Sequence, residues 1–161
     1  LIVRAFNKLQ LPLVVIGTGP EMKKIRRIAK SNIQILGWQA NDMVKKYMAH
    51  AKGFVYAACE DFGIALVEAQ ACGTPVIAYG AGGALETVRD VREHGDQGTG
   101  IFFKEQTEEA LVDTIEKFEV YQGKLNPEYA RVHAAQFSPQ IFAQRYSDFL
   151  NRCTQTRPSP H

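Results

Sequence analysis

The sequence predicts an α/β fold in which a parallel sheet is covered by helices on both faces. Short runs rich in β-branched and aromatic residues alternate along the chain with stretches of helical periodicity, an order typical of βα repeats. The chain also has the length and apolar content of one globular domain, with 161 residues of which 45% are hydrophobic and 22% charged. We therefore expect a single domain with its own core.

Composition argues against several other classes of protein. The formal net charge of +2 is too small to indicate general attraction to nucleic acid or membranes. Basic residues concentrate on one predicted helix, at 23–30, where a solvated face and a contact with an anionic surface or partner are the two alternatives. The three cysteines are odd in number and lack C-x-x-C spacing, so neither a disulfide framework nor a zinc site is indicated, and a reducing compartment is expected. No apolar run approaches the roughly 18 residues that span a bilayer.

The predicted elements follow one another in a regular order. A helix opens the chain over residues 1–9 without a capping residue or Met ahead of it, so we interpret the chain as a piece of a longer protein. Strands are predicted at 13–17, 33–36, 53–57, 75–79 and 100–103. The helices between them are predicted at 21–30, 41–50 and 63–72.

The carboxyl-terminal part of the chain is predicted to be helical. Thr107 is a candidate N-cap, and two later helices, at 127–136 and 139–151, each begin with proline. The glycine-rich loop EHGDQGTG (93–100) ahead of the fifth strand is expected to be mobile or to face a ligand. The domain is thus predicted over residues 1–151, with residues 152–161 as a disordered tail.

Ligands of open parallel sheets bind beyond the carboxyl ends of the strands, so the loops that follow the strands are the candidate sites. After the first strand, Gly17 and Gly19 allow a tight turn and a close approach of ligand to backbone. Met22 and Lys23 stand where a G-x-G-x-x-G fingerprint would place its third glycine. A plain turn before a helix therefore explains these residues equally well.

The loop after the third strand carries a stronger signal. Glu60 lies just ahead of a predicted helix whose first amides, at Gly63, Ile64 and Ala65, are orphan donors at the positive end of a helix dipole. These donors suit phosphate oxygens. Glu68 lies on the same, otherwise apolar, helix. A dipole partner for Glu60 and a partly exposed rim carboxylate for Glu68 are the structural alternatives.

The loop GAGGALETV (80–88) joins the fourth strand to another helix start. Gly82 and Gly83 precede this helix, and Glu86 falls in its first turns. A flexible loop with an acid that compensates the helix dipole would have the same sequence.

The central stretch, FVYAACEDFGIALVEAQACGTPVIAY followed by GGALETV, resembles the donor-site signature of retaining glycosyltransferases of family 4, which have the GT-B fold. That signature has two glutamates separated by seven residues, here Glu60, DFGIALV and Glu68. The resemblance extends through AFNKL, VVIGTGPE and ILGWQ ahead of the stretch, and through the glycine loop and EAL after it. It implies that the chain is the Rossmann-like, carboxyl-terminal half of a GT-B enzyme.

The resemblance also implies roles for particular residues. Glu60 would meet the transferred sugar as the catalytic residue, and Glu68 would meet the ribose hydroxyls of the nucleotide. The amides near Phe62, Gly63, Ile64 and Ala65 would bind the sugar and diphosphate, and the base would lie near Leu36, Gly37 and Trp38. Gly17, Gly19, Gly82, Gly83 and Glu86 would line the cleft. Burial of the Trp38 side chain in the hydrophobic core is an equally good interpretation of the sequence.

Two features of the family are absent from the sequence. An arginine and a lysine that neutralise the diphosphate precede the helix corresponding to residues 1–9, and Arg4 and Lys8 come too late to match them. The amino-terminal domain that binds the acceptor is also missing. We therefore expect the donor half of a sugar transferase, with the absence of the first strand of its own domain as an open alternative.

The implied chemistry is transfer of a hexose from a GDP- or UDP-linked donor to an acceptor hydroxyl, with retention at the anomeric carbon. Helix-end amides and cations would stabilise the leaving group, so neither a metal nor a further cofactor is expected. The partners would be the nucleotide-sugar and, through the missing domain, an acceptor sugar or lipid-linked glycan, but not nucleic acid. We expect a cytoplasmic parent, with peripheral contact at the inner membrane face left open. A GT-B-shaped nucleotide-binding module without transferase activity, and a purely structural α/β domain, are the rival hypotheses.

Overall fold

The computed structural model of the protein describes residues 1–155, with the side chains of residues 1–154. The helices are α1 (Ile2–Leu9), α2 (Met22–Ile28), α3 (Asn41–His50), α4 (Ile64–Ala71), α5 (Ala84–Thr87), α6 (Val91–His94), α7 (Glu108–Tyr121), α8 (Pro127–Ala135) and α9 (Pro139–Gln155). The strands are β1 (Leu13–Ile16), β2 (Ile33–Gly37), β3 (Phe54–Tyr56), β4 (Val76–Tyr79) and β5 (Gly100–Phe103). Each predicted strand is present, so the α/β prediction is confirmed.

Helices cover both faces of the β3–β4–β5 sheet, and β4 shows how the sequence encodes this. Ile77 packs with α1 and α7 in one apolar cluster, whereas Val76 and Ala78 pack with α4 in a second cluster. Successive side chains of a strand point to opposite faces, so a strand that is apolar throughout must be covered twice. These three residues of β4 are almost fully buried.

The strands form two parallel sheets and not the single sheet that the alternation predicted. β1 pairs with β2, and β4 lies between β3 and β5, but β1 and β3 do not pair with each other. The sheets nevertheless share a core, because Val15 of β1 and Val55 of β3 pack against the same cluster. Val14 of β1 is 40% exposed, and each residue of β3 is only partly buried. Burial this shallow is unusual for parallel strands.

The helix starts that the sequence predicts in the carboxyl-terminal part of the chain are present in the structure. The Thr107 hydroxyl accepts a hydrogen bond from the amide of Ala110 at 3.2 Å and caps α7, as predicted. Pro127 begins α8 behind an Asn126 cap. Helix α9 continues to Gln155, four residues beyond the predicted end, and residues 156–161 lie outside the described residues.

The glycine-rich loop at 93–100 is built into the fold. Helix α6 and a 3₁₀ turn occupy its first part, and residues 98–100 are buried. A Cβ on Gly98 would lie 2.5 Å from Val91 Cα, and one on Gly100 would lie 2.2 Å from the Val76 carbonyl oxygen. These glycines permit close packing, so the expectation that the loop faces a ligand is wrong for its buried end.

The buried Asp90 organises this region. Its carboxylate accepts hydrogen bonds from the Arg92 guanidinium and from the amides of Arg92 and Phe102. Burial acts to raise the pKa of Asp90, but these hydrogen bonds outweigh it and hold the pKa below its ordinary value. Asp90 therefore ties α6 to β5 while remaining charged. None of the helices that the structure describes is long and apolar enough to cross a membrane.

Candidate active site

A cleft of about 600 Å³ opens where β3 ends and α4 begins. It is lined by Tyr56, Cys59, Glu60, Asp61, Phe62, Gly63, Ile64 and Ala65. We call it the β3–α4 cleft. It lies beyond the carboxyl end of a parallel strand, where ligands of α/β sheets bind. The structure thus brings together Glu60 and the four helix-end residues that the sequence predicted.

The start of α4 presents its backbone amides to the β3–α4 cleft. Gly63 is the N-cap, with φ of 79°, a left-handed conformation that favours glycine. Its lack of a side chain also matters, because a Cβ there would lie 2.8 Å from Leu66 Cδ1. No side chain caps the helix. The first amides of α4 are therefore available to an anionic ligand.

Gly82 and Gly83 pack against the loop that carries Glu60 and are not among the residues that line the β3–α4 cleft. Gly82 is exposed and Gly83 is buried. The Gly83 amide donates a hydrogen bond to the Glu60 carbonyl oxygen at 2.7 Å. A Cβ on Gly83 would lie 2.4 Å from Phe62 Cα, and one on Gly82 would lie 2.4 Å from the same Glu60 oxygen. These glycines allow the two loops to pack backbone against backbone, and their place along the donor cleft stays a prediction.

A buried polar network fixes the segment that carries these glycines. Gln70 of α4 is fully buried, and its amide donates to the carbonyl oxygens of Leu66 (3.1 Å) and Thr87 (2.9 Å). The Thr87 hydroxyl donates to the Gly83 carbonyl oxygen at 2.9 Å, and His133 Nε2 lies 3.2 Å from the Thr87 carbonyl oxygen. Burial lowers the pKa of His133, which favours the neutral imidazole. The α5 segment is thereby anchored between α4 and α8.

Glu68 is exposed on α4, one helical turn after Ile64, and is not among the residues that line the β3–α4 cleft. Residues four apart share a helix face, so Glu68 lies on the same side of α4 as the cleft-lining Ile64. Glu86 is also exposed, on the short helix α5. Both carboxylates are accessible to solvent, as ligand-binding groups must be.

The predicted base-binding residues form a second group, at the ends of β1 and β2. The register shifts so that Ile16 pairs with Gly37, and the Gly17 amide donates to the Gly37 carbonyl oxygen at 2.8 Å. Gly17 and Gly37 both have positive φ, at 127° and 70°. Trp38 is 73% exposed, so the core alternative for this residue is wrong. Gly19 is exposed, in the turn before α2, and Leu36 is half-buried within β2.

Arg4 and Lys8 are not among the residues that line the β3–α4 cleft, and both pair with acids at the start of α7. Arg4 forms an ion pair with Glu108 at 3.4 Å, and Lys8 lies 2.8 Å from Glu109 and 2.9 Å from Glu108. These pairs join α1 to α7. Across the residues that the structure describes, no cluster of three His, Cys, Asp or Glu side chains is arranged to hold a metal ion.

Sequence reasoning did not select Tyr56, Cys59 or Asp61, although all three line the β3–α4 cleft. Cys59 and Asp61 flank Glu60, so proximity in the chain was a signal for them. Tyr56 is the last residue of β3, and a polar aromatic residue at a strand's carboxyl end was the only signal for it. Burial and the neighbouring Glu60 together raise the pKa of Tyr56 to about 12.

Comparison with known proteins identifies relatives that are similar to this chain in sequence. A GDP-mannose-dependent monoacylated α-(1-6)-phosphatidylinositol monomannoside mannosyltransferase of Corynebacterium glutamicum is 29% identical over 151 residues, covering 86% of this chain and 38% of that protein. D-inositol 3-phosphate glycosyltransferase of Mycobacterium leprae is 43% identical over 81 residues, covering 49% of this chain and 18% of the relative.

Solved structures share the fold. Anabaena HepE, crystallised with UDP-glucose, superposes with a TM-score of 0.72 over 93% of this chain and 44% of its own, at 22% identity. The chain thus spans less than half the length of the relatives that it matches. The family model for glycosyl transferases group 1 matches residues 1–131. The chain therefore belongs to the glycosyl transferases group 1.

Proposed function

We propose that the chain is the carboxyl-terminal, donor-binding half of a retaining hexosyltransferase of family 4. One observation carries the proposal: the uncapped amino terminus of α4 opens into a cleft of about 600 Å³ that also holds Glu60. The family membership and the glutamate spacing support the same assignment. This half alone is expected to transfer no sugar, because it cannot hold both reactants in attack geometry.

The proposed substrate is a nucleoside-diphosphate hexose, with GDP and UDP as the two alternatives for its nucleotide. The C. glutamicum relative is named for GDP-mannose, and HepE was crystallised with UDP-glucose. The diphosphate would bind the α4 amides between Gly63 and Ala65. Glu68 would accept hydrogen bonds from the ribose hydroxyls, and Trp38 would lie beside the base.

The proposed reaction uses Glu60 at the transferred sugar. The bond between the anomeric carbon and the diphosphate oxygen breaks, the oxygen keeps the electron pair, and positive charge develops on the sugar. A carboxylate near that carbon stabilises the charge, while the α4 amides stabilise the leaving diphosphate. The acceptor hydroxyl then bonds to the same face of the sugar, which retains the configuration, and its proton passes to the departing diphosphate oxygen.

The edges of β1 and β3 suggest where the rest of the protein joins this domain. Helix α1 packs against α7, which covers β4 and β5, and also contacts α2 and β2. It therefore lies over the gap between the two sheets. In a βα unit the strand lies beneath its helix, so we propose that a strand preceding α1 fills the gap and pairs with β1 and β3. The acceptor, a sugar or a lipid-linked glycan, would bind the amino-terminal domain beyond that strand. We propose that the whole enzyme is cytoplasmic and contacts a membrane peripherally.

Titration calorimetry on the full-length protein, followed by a transfer assay, tests the proposal. We expect either GDP or UDP to bind, the matching hexose donor to be consumed, and NMR to show a product with the donor's anomeric configuration. An inverted product would contradict the retaining assignment. Absence of binding by every nucleotide in a panel that includes ADP and dTDP would contradict the donor-binding role.

A further inference from the structure

Tyr56 occupies a fixed position in the β3–α4 cleft. Its backbone pairs with Ala78 of β4, and its ring stacks on Phe54 at 6.2 Å between centroids, with 24° between the ring planes. The ring also packs against the buried cluster that contains Leu66. Strand pairing and packing thus hold the side chain of Tyr56, which lines the cleft.

Glu60, by contrast, lies on an exposed loop. The loop backbone is held at the Glu60 carbonyl oxygen by the Gly83 amide, but that contact leaves the carboxylate free to rotate. Among the described residues, no lysine, arginine or histidine forms an ion pair with this carboxylate. Tyr56 lines the same cleft as Glu60, and the carboxylate contributes to raising the pKa of Tyr56.

We propose that Tyr56 is a positioning residue for Glu60: its hydroxyl donates a hydrogen bond to the carboxylate and directs it toward the transferred sugar. This inference rests on the proposed function, in which Glu60 meets that sugar. Burial, with Glu60 as the next cause, raises the pKa of Tyr56 to about 12, so the hydroxyl keeps its proton and acts as a donor near neutral pH.

A neutral donor suits this task better than a cation. An arginine or lysine beside Glu60 would fix the carboxylate but would also neutralise much of the charge that the reaction needs. A phenol fixes one carboxylate oxygen and leaves the net charge in place. The other oxygen remains free to approach the anomeric carbon as positive charge develops there.

Tyr56→Phe in the full-length protein removes only this hydrogen bond, since the ring and its packing remain. We expect kcat to fall by about 10- to 100-fold, the range for a lost hydrogen bond to a charged group. The Kd of the bare nucleotide should stay within about twofold, because the sugar is absent from that complex. Tyr121→Phe, at the end of α7 and outside the cleft, is the matched control and should leave both quantities unchanged.

A double-mutant cycle with Glu60→Gln separates positioning from a general structural effect. If Tyr56 acts through Glu60, Tyr56→Phe should lower kcat by less than about twofold in the Glu60→Gln background. An equal fall in both backgrounds would overturn the inference, as would a Tyr56→Phe variant with wild-type kcat beside a slow Glu60→Gln variant. A weakened Kd for the bare nucleotide would overturn it too. Wild-type turnover of Glu60→Gln would instead remove the role proposed for Glu60, and this inference with it.

Discussion

Replacing Gly83 by alanine should displace the loop that carries Glu60. The new Cβ would lie 2.4 Å from Phe62 Cα, 2.5 Å from the Phe62 carbonyl oxygen and 2.6 Å from the Asp61 carbonyl oxygen. Ordinary contacts begin at 3.4 Å, so the two loops must separate by about 1 Å. Gly83 has φ of −61° and ψ of −17°, which alanine adopts readily, so the cost comes from packing and not from backbone strain.

We expect Gly83→Ala to lower the free energy of unfolding by about 1–3 kcal/mol, as overpacking does in closely packed regions. Because a displacement of about 1 Å near the reacting atoms can cost about 100-fold in rate, turnover should fall further than stability alone implies. Chemical denaturation and donor kinetics of the full-length protein measure the two effects. Gly123→Ala is the matched control, since a Cβ there meets nothing within 4 Å. A Gly83→Ala variant with the stability and turnover of this control would refute the packing argument.

Three further predictions concern the full-length protein. Glu68→Ala should weaken nucleotide and donor binding together by about 1.5–3 kcal/mol. Glu60→Ala should lower turnover and leave nucleotide affinity unchanged. Calorimetry and donor kinetics measure both effects, and the reverse pattern would disprove the assigned roles. Because the pKa of His133 lies below its ordinary 6.5 in the folded state, the unfolded chain binds more protons near that pH, so stability should fall as pH drops below about 6.5. The difference between the denaturation midpoints at pH 7.5 and 5.5 should be smaller in His133→Gln than in the wild-type protein. An equal difference in the two proteins would refute the role of His133 in the pH dependence. Chelation should leave turnover intact, and a loss restored by Mg²⁺ or Mn²⁺ would count against helix-end stabilisation.

The strands and most helices were predictable because their signals are local. Each strand is a short apolar run, and Thr107 and Pro127 mark helix starts by their own chemistry. The end of α9 was misplaced because residues 152–155 contain neither glycine nor proline, and nothing local stops the helix there. The division into two sheets depends on which strands become neighbours, and periodicity along one chain does not carry that information.

The candidate site was predictable to the extent that it lies on one segment. Glu60 and the start of α4 are adjacent in sequence, so the helix-end argument found them together. The packing of Gly83 against the loop depends on a contact with Glu60, more than twenty residues away. The contact of Gln70 with α8 through Thr87 likewise joins residues that are 17 and 46 positions apart. The exposure of Trp38 was undecided for a similar reason, because an aromatic side chain suits both a core and a binding surface.

The diphosphate of the nucleotide-sugar is proposed to bind in the β3–α4 cleft. Hydrogen–deuterium exchange of the full-length protein, with and without saturating GDP or UDP, tests it at the level of individual peptides. We expect the nucleotide that binds to slow exchange in peptides covering residues 60–68, where the α4 amides would meet the phosphates. Peptides of α9 should exchange as before. Nucleotide binding that leaves exchange at residues 60–68 unchanged and protects another region would show that the diphosphate binds elsewhere.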